Sequence, residues 1–247
     1  MSQSDTALNQ TNEQQPLFAY ERCLVLLAHP DDAESWCAGA VARLLDAGAQ
    51  VTYVVCTSGE KGSANAGAQL EEVARLREAE QSEACRRLGV AEVVFLGYPD
   101  GGLEDTPAFR GDLVRQIRRC RPDLCLTFDP VYPRPLYTAH RDHRILGRVA
   151  LDALYPFARD AQHYPEQLRD YGLQPHITPE VWLFASSQPN YFVDISATFE
   201  RKVAARLAHA SQTADASALE EAFRQRAEEI GRPASLALAE AFKRIFL

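Results

Sequence analysis

The sequence predicts an α/β protein, a Rossmann-like three-layer sandwich with a mostly parallel sheet and helices on both faces. Three observations predict it. Apolar runs of strand length recur at 23–27, 51–56, 93–96 and 124–128, helical spacing fills the stretches between them, and glycine or proline punctuates the junctions. Strand and helix alternate four times, the pattern of a parallel sheet with crossover helices.

Cys23-Leu24-Val25-Leu26-Leu27 reads as a buried first strand. A helix follows from about Glu34 to Ala47, closed by Gly48. Val51–Cys56 is a second strand and ends in the loop Thr57-Ser58-Gly59-Glu60-Lys61-Gly62-Ser63. Gln69 to Leu88 is a long helix stopped by Gly89, and Val93–Leu96 a third strand leading into Gly97–Gly102. Phe109 to Cys120 has helical spacing, and Pro122 ends it before the fourth strand, Leu124–Phe128. Beyond the loop Thr138–His143 a helix runs to about Leu154, and residues 155–180, rich in Pro, Tyr and His, form an ordered surface excursion. Val181–Phe184 and Tyr191–Val193 are further strands. From Thr198 onward the chain reads as helical, with a break at Gly231-Arg232-Pro233. Without an internal repeat or linker, residues 17–247 form one domain behind a disordered polar tail at 1–16.

Composition narrows the function. The 247 residues carry a formal charge of −8, which argues against nucleic-acid binding. No apolar run approaches the ~20 residues of a membrane span, and the polar first sixteen residues lack the apolar core of a signal peptide. Six cysteines without a CxxC pair read as reduced, buried thiols, and the expected compartment is the cytoplasm.

Chemistry concentrates at two strand ends. After the first strand comes Ala28-His29-Pro30-Asp31-Asp32-Ala33-Glu34, which puts His29 and Asp32 three residues apart where both side chains can enter one cavity. After the fourth comes His140-Arg141-Asp142-His143. Two histidines and a carboxylate make a metal site with open positions, suited to Zn²⁺ in a hydrolase and equally the ligand set of non-haem Fe(II) oxygenases. Asp31, beside a ligand, is placed to act as general base, which favours hydrolysis. His140 is placed to stabilise an oxyanion or protonate a leaving group, with Asp142 to orient it and keep it charged. The bland readings are a helix N-cap for Asp31 or Asp32 and a solvated HxxH. A dinucleotide fingerprint is excluded, since it needs glycines where His29, Pro30 and Asp31 stand.

AHPDDAE after the first strand, TSGEKGS after the second and the later HxDH together resemble the PIG-L (LmbE-like) N-acetylglucosaminyl deacetylases. The resemblance continues through Val193-Asp194-Ile195 and Lys202 to His209-Ala210-Ser211-Gln212. It implies metal ligation by His29, Asp32 and His143, Asp31 as general base, and His140 with Asp142 assisting the tetrahedral intermediate and leaving amine. It also implies substrate-sugar contacts from Glu60, Arg77 and Asp100. The simpler reading for Arg77 is a helical pair with Glu80. The implied activity is removal of acetyl from a small GlcNAc-type glycoside, such as a thiol-cofactor precursor, with Zn²⁺ (or Fe²⁺) in the site. A mycothiol-conjugate-type amidase, an Fe(II) oxygenase and a non-catalytic sugar-binding zinc protein are the alternatives. The expected partner is an amino-sugar substrate, with no nucleic acid and no membrane; relatives often assemble into homo-oligomers. Two departures stand out. Some relatives carry a tyrosine two residues before the first His of HxDH, where this chain has Thr138 preceded by Tyr137, and Trp36-Cys37-Ala38-Gly39 replaces a glycine-rich helix opening.

Overall fold

A computed structural model describes residues 20–131 and 140–247, so the tail expected at 1–16 and the pair Tyr137 and Thr138 lie outside the described residues. The strands are β1 (Arg22–Leu27), β2 (Gln50–Thr57), β3 (Glu92–Tyr98), β4 (Leu124–Phe128), β5 (Glu180–Phe184), β6 (Tyr191–Asp194) and β7 (Ala239–Phe246). The helices are α1 (Asp32–Trp36), α2 (Ala38–Asp46), α3 (Leu70–Leu88), α4 (Pro107–Cys120), α5 (Arg141–Asp152), α6 (Pro165–Tyr171), α7 (Phe199–Arg206) and α8 (Ala216–Gly231).

Among the described residues the strands form one seven-stranded sheet in the order β3-β2-β1-β4-β5-β7-β6. β1 to β5 pair in parallel, and β7 runs antiparallel to both β5 and β6. Helices α1, α2, α3 and α7 pack together against one face, and α4 with α5 covers the other. Covering on both faces is why β4 and β5 are buried along their whole lengths and read as unbroken apolar runs. The chain leaves β1 towards β2 and β3 on one side, while β4 and β5 build out on the other. The carboxyl ends of β1 and β4 therefore flank the point where strand order reverses, where open α/β sheets bind ligands.

Two expectations about elements need correction. The chain is not helical from Thr198 to its end, because 239–246 is strand β7. Its Ala, Glu, Lys and Arg favour a helix locally, yet the slot between β5 and β6 rewards extended pairing and buries Phe242 completely. The helix expected over 34–47 is broken at Cys37, whose backbone lies at φ −140° and ψ 4°. There Glu240, from β7, accepts the Gly39 and Ala40 N–H groups at 3.0 and 2.7 Å and caps a new helix start. Buried Lys202 neutralises that carboxylate at 2.6 Å. No helix of the described residues is long and apolar enough to cross a membrane.

Helix α5, which carries His143, approaches the end of β4 through Gly147, where an added Cβ would lie 2.4 Å from the Phe128 carbonyl oxygen. Gly147→Ala is therefore expected to destabilise by about 1–3 kcal/mol, although alanine is the better helix former. The check is a lower urea midpoint at unchanged slope.

Candidate active site

The turn after β1 is organised by Asp32. Its Oδ2 accepts the N–H of Ala28 at 3.0 Å and of His29 at 2.7 Å, folding the side chain back onto the strand end. Oδ1 is left facing His143 Nε2, 3.1 Å away. Neither Asp31 nor Asp32 caps the helix: Asp31 holds the N-cap position without a side-chain cap bond. The capping explanation of these carboxylates therefore does not hold.

His29 Nδ1 lies 3.2 Å from His143 Nε2 and 3.7 Å from Asp32 Oδ2. Donor atoms around a tetrahedral cation bound at roughly 2.0–2.2 Å stand about 3.3–3.6 Å apart. The imidazoles of His29, His140 and His143 bring donor atoms within 4.8 Å of one another, as do His29, Asp100 and Asp142, and Asp32 Oδ1 adjoins His143, so a cation could be held here. His143 is held in place by its ring, which stacks on Phe128 at a centroid distance of 3.8 Å.

The other face of His29 is acidic. Its buried Nε2 lies 3.1 Å from Asp100 Oδ1 and 3.3 Å from Asp142 Oδ2, close but without the alignment of a hydrogen bond. Asp142 is itself anchored by the Gly101 and Leu103 N–H groups at 2.7 and 3.2 Å. Carboxylates behind a ligating imidazole are the usual outer support of a metal site, orienting the ring and raising its basicity. Burial opposes charge on His29, but the carboxylates of Asp100, Asp142 and Asp32 outweigh it and lift the imidazole from its ordinary 6.5 to about 11. His143 and His29 hold Asp32 well below the usual carboxylate range against the opposing effect of its burial.

Asp142 meets His140 mainly through its backbone rather than its carboxylate. Its carboxylate is 4.0 Å from His140 Nδ1, and its backbone N–H donates to that nitrogen at 3.2 Å. The acceptor role of Nδ1 puts the ring hydrogen on Nε2. Burial, then the charges of His29 and His143, push the His140 pKa down, so the ring is a neutral donor.

Asp31 sits at φ 84°, in the left-handed region that costs a non-glycine residue of order 1–3 kcal/mol. The turn sends its carboxylate away from that of Asp32 and between two guanidiniums, 3.7 Å from Arg77 and 3.6 Å from Arg206. Burial and the Asp32 charge raise its pKa, while Arg206, Arg77 and His209 restrain the rise.

The residues expected to touch substrate are engaged with the protein. Arg77 is buried, donates to the Gly59 and Pro30 carbonyls at 2.8 Å each, and lies beneath the 57–63 loop. A Cβ at Gly59 or Gly62 would stand 2.2 or 2.4 Å from its Nη1. Its suggested partner Glu80 is taken by Ser211 at 2.7 Å. Glu60 accepts the Asp100 N–H at 2.8 Å, and Lys61 binds Asp100 through both its backbone and its ammonium. These contacts hold the outer shell of His29 and Asp31 in place. Away from the centre, His176 bonds the Pro122 carbonyl at 2.9 Å, and His163 packs on Phe157. Arg206 has no signal in the sequence, whereas His209, in a stretch the resemblance carries, is expected near the site or at a subunit contact. The sequence signal was the His-Ala-Ser-Gln stretch after α7, whose place only the packing of α7 on α1 and α3 reveals.

A doubly wound sheet with clustered histidines and carboxylates at its switch point, able to hold a cation, is the class of site found in metal hydrolases. The chain belongs to the PIG-L family: the family model described as GlcNAc-PI de-N-acetylase matches residues 24–154. It is 32% identical over 198 residues to the diacetylchitobiose deacetylase of Thermococcus kodakarensis, covering 80% of this chain and 72% of that one. It is 32% identical to the probable N-acetyl-alpha-D-glucosaminyl L-malate deacetylase 2 of Bacillus cereus, covering 77% of this chain and 83% of that one. The structure of N,N'-diacetylchitobiose deacetylase from Pyrococcus horikoshii superposes with a TM-score of 0.87 at 31% identity, covering 94% of this chain and 86% of that one. This membership sets aside the oxygenase alternative.

Because the surrounding carboxylates raise the His29 pKa, ligation through Nδ1 is expected to displace a proton. Titrating Zn²⁺ into chelator-treated protein at pH 8, in buffers of different ionisation enthalpy, is expected to register release of about one proton per site. The raised pKa also stabilises the metal-free fold, fully below the ordinary 6.5 and progressively less as pH climbs through about 11.

Proposed function

We propose that this protein is a cytoplasmic, zinc-dependent amidase that removes the acetyl group from a small GlcNAc-type glycoside. The observation that carries the reading is the division within one turn: His29 and Asp32 both lie against His143, while the Asp31 carboxylate is turned towards Arg77 and Arg206. The relatives' names, a diacetylchitobiose deacetylase and a GlcNAc-malate deacetylase, support a GlcNAc amide as substrate. Six free thiols, five of them buried, support a reducing compartment.

His29, Asp32 and His143 would hold the cation. A divalent ion there supplies Lewis acidity towards an amide carbonyl and makes water more acidic. Asp31, its pKa raised by burial and by Asp32, takes a proton from the attacking water. His140 offers its Nε2–H to the carbonyl oxygen as that oxygen gains charge. The C–N bond then breaks, the proton held by Asp31 passes to the departing nitrogen, and acetate and the free amine result. Asp100 and Asp142, fixed by backbone N–H groups, keep the His29 ring aimed throughout. Arg77 and Arg206 keep the base from swinging towards the ligands.

Asp31→Asn is the sharpest test, because asparagine tolerates the left-handed backbone and preserves the fold. It is expected to lower kcat by about 10²–10⁴-fold while the protein binds zinc as before; full activity in the variant overturns the base assignment. On the substrate side, chelation is expected to abolish amine release from GlcNAc glycosides, and added Zn²⁺ to restore it. A panel differing only in aglycone, scored by free amine, identifies the preferred conjugate.

A further inference from the structure

Asp31 is held in its left-handed turn by more than the residues beside it. Its backbone N–H donates to Gln81 Oε1 at 2.9 Å. The same amide's Nε2 donates to Glu34 Oε1 at 3.2 Å, and Glu34 Oε2 meets His209 Nε2 at 3.3 Å. Gln81, Glu34 and His209 are all 0% exposed. Burying an amide, a carboxylate and an imidazole in a row is costly unless each is satisfied by the next, so the chain of contacts stands or falls together.

Its far end belongs to a segment beyond the 24–154 stretch that the family model matches. Residues 206–213 follow α7 and fasten themselves across the site. Ser211 binds both oxygens of Glu80 at 2.7 Å, Gln212 donates to the Gly62 carbonyl at 2.9 Å, and Arg206 faces the Asp31 carboxylate. One short segment therefore touches the base turn, helix α3 and the glycine loop.

We propose that Gln81, Glu34 and His209 form a positioning relay that holds the strained Asp31 backbone, with residues 206–213 as the clasp that anchors it. The relay touches neither substrate nor the reacting atoms and acts only through Asp31, so its catalytic part rests on the reading of Asp31 as base. Without Gln81 the N–H of Asp31 loses its partner, and the turn relaxes towards a backbone that aims the carboxylate elsewhere.

The test combines two readouts on zinc-loaded protein. Hydrogen exchange at the Asp31 amide, followed by NMR, reports the relay without any substrate. Gln81→Leu and His209→Leu are each expected to quicken it by about tenfold or more. Steady-state amine release from the preferred glycoside should show kcat down by about tenfold or more, with KM within about twofold and bound zinc unchanged. The double variant should be no slower than Gln81→Leu alone, and His209→Gln, which keeps a donor towards Glu34, should recover part of the rate. Should either leucine variant fail to fold, Gln81→Met and His209→Met carry the same comparison. Unchanged exchange, unchanged kcat, a fall in rate matched by zinc loss, or losses that simply multiply in the double variant overturn the proposal. A wild-type protein that releases no amine from any glycoside overturns the functional reading instead, and the exchange arm then decides the relay separately.

Discussion

The bond from Asp32 back to the end of β1 is the constraint on which the centre depends. By accepting the N–H groups of Ala28 and His29, one carboxylate oxygen satisfies donors that the strand end leaves open and leaves its partner oxygen for a cation. The same fold-back forces the intervening residue out of the ordinary backbone regions, so Asp31 takes φ 84° and its side chain leaves the ligand cluster. The four residues are thus divided by geometry, His29 and Asp32 against His143 and Asp31 against two arginines. His143 completes the set because β4 is hydrogen-bonded next to β1 and Gly147 lets its helix close on the strand end.

The charge balance of this region supports the same division. Four carboxylates, those of Asp31, Asp32, Asp100 and Asp142, face the buried guanidiniums of Arg77 and Arg206 and the imidazolium of His29. Clustered charge of one sign is unfavourable unless it is paired, and Arg141 adds a further partner beside Asp142. The acidic residues that the resemblance assigned to sugar contact therefore have a use inside the protein, as outer support for the ligand. Glu60 and Lys61 extend that support to the loop after β2, which links the glycine loop to the metal side of the site.

The portion of the molecule that local chemistry dictates was legible in the residues. Apolar runs of strand length yielded β1 to β4 and the alternation that makes the sheet parallel; β1, β2 and β4 are largely buried, while β3, at the sheet edge, is only partly so. His29, Asp32 and His143 drew notice in the residues because they stand at the ends of two strands that the alternation places in one sheet, and the structure brings them into contact. Local propensity misled at 239–246, where helix-forming residues were drawn into the sheet by the unfilled position between β5 and β6. It misled again at Cys37, where a carboxylate more than two hundred positions away caps a helix that sequence periodicity runs through.

The sequence by itself determined the fold class and singled out the residues proposed as ligands and base, through residue types, their places at strand ends and the family resemblance they carry. Only the tertiary structure decided how those residues are held. The orientation of Asp142 towards His29 rather than His140, the burial of Arg77 beneath Gly59 and Gly62, and the reach of His209 back to Glu34 all depend on contacts between distant elements. No local pattern encodes them, because a side chain's partner is set by which helices the sheet brings together.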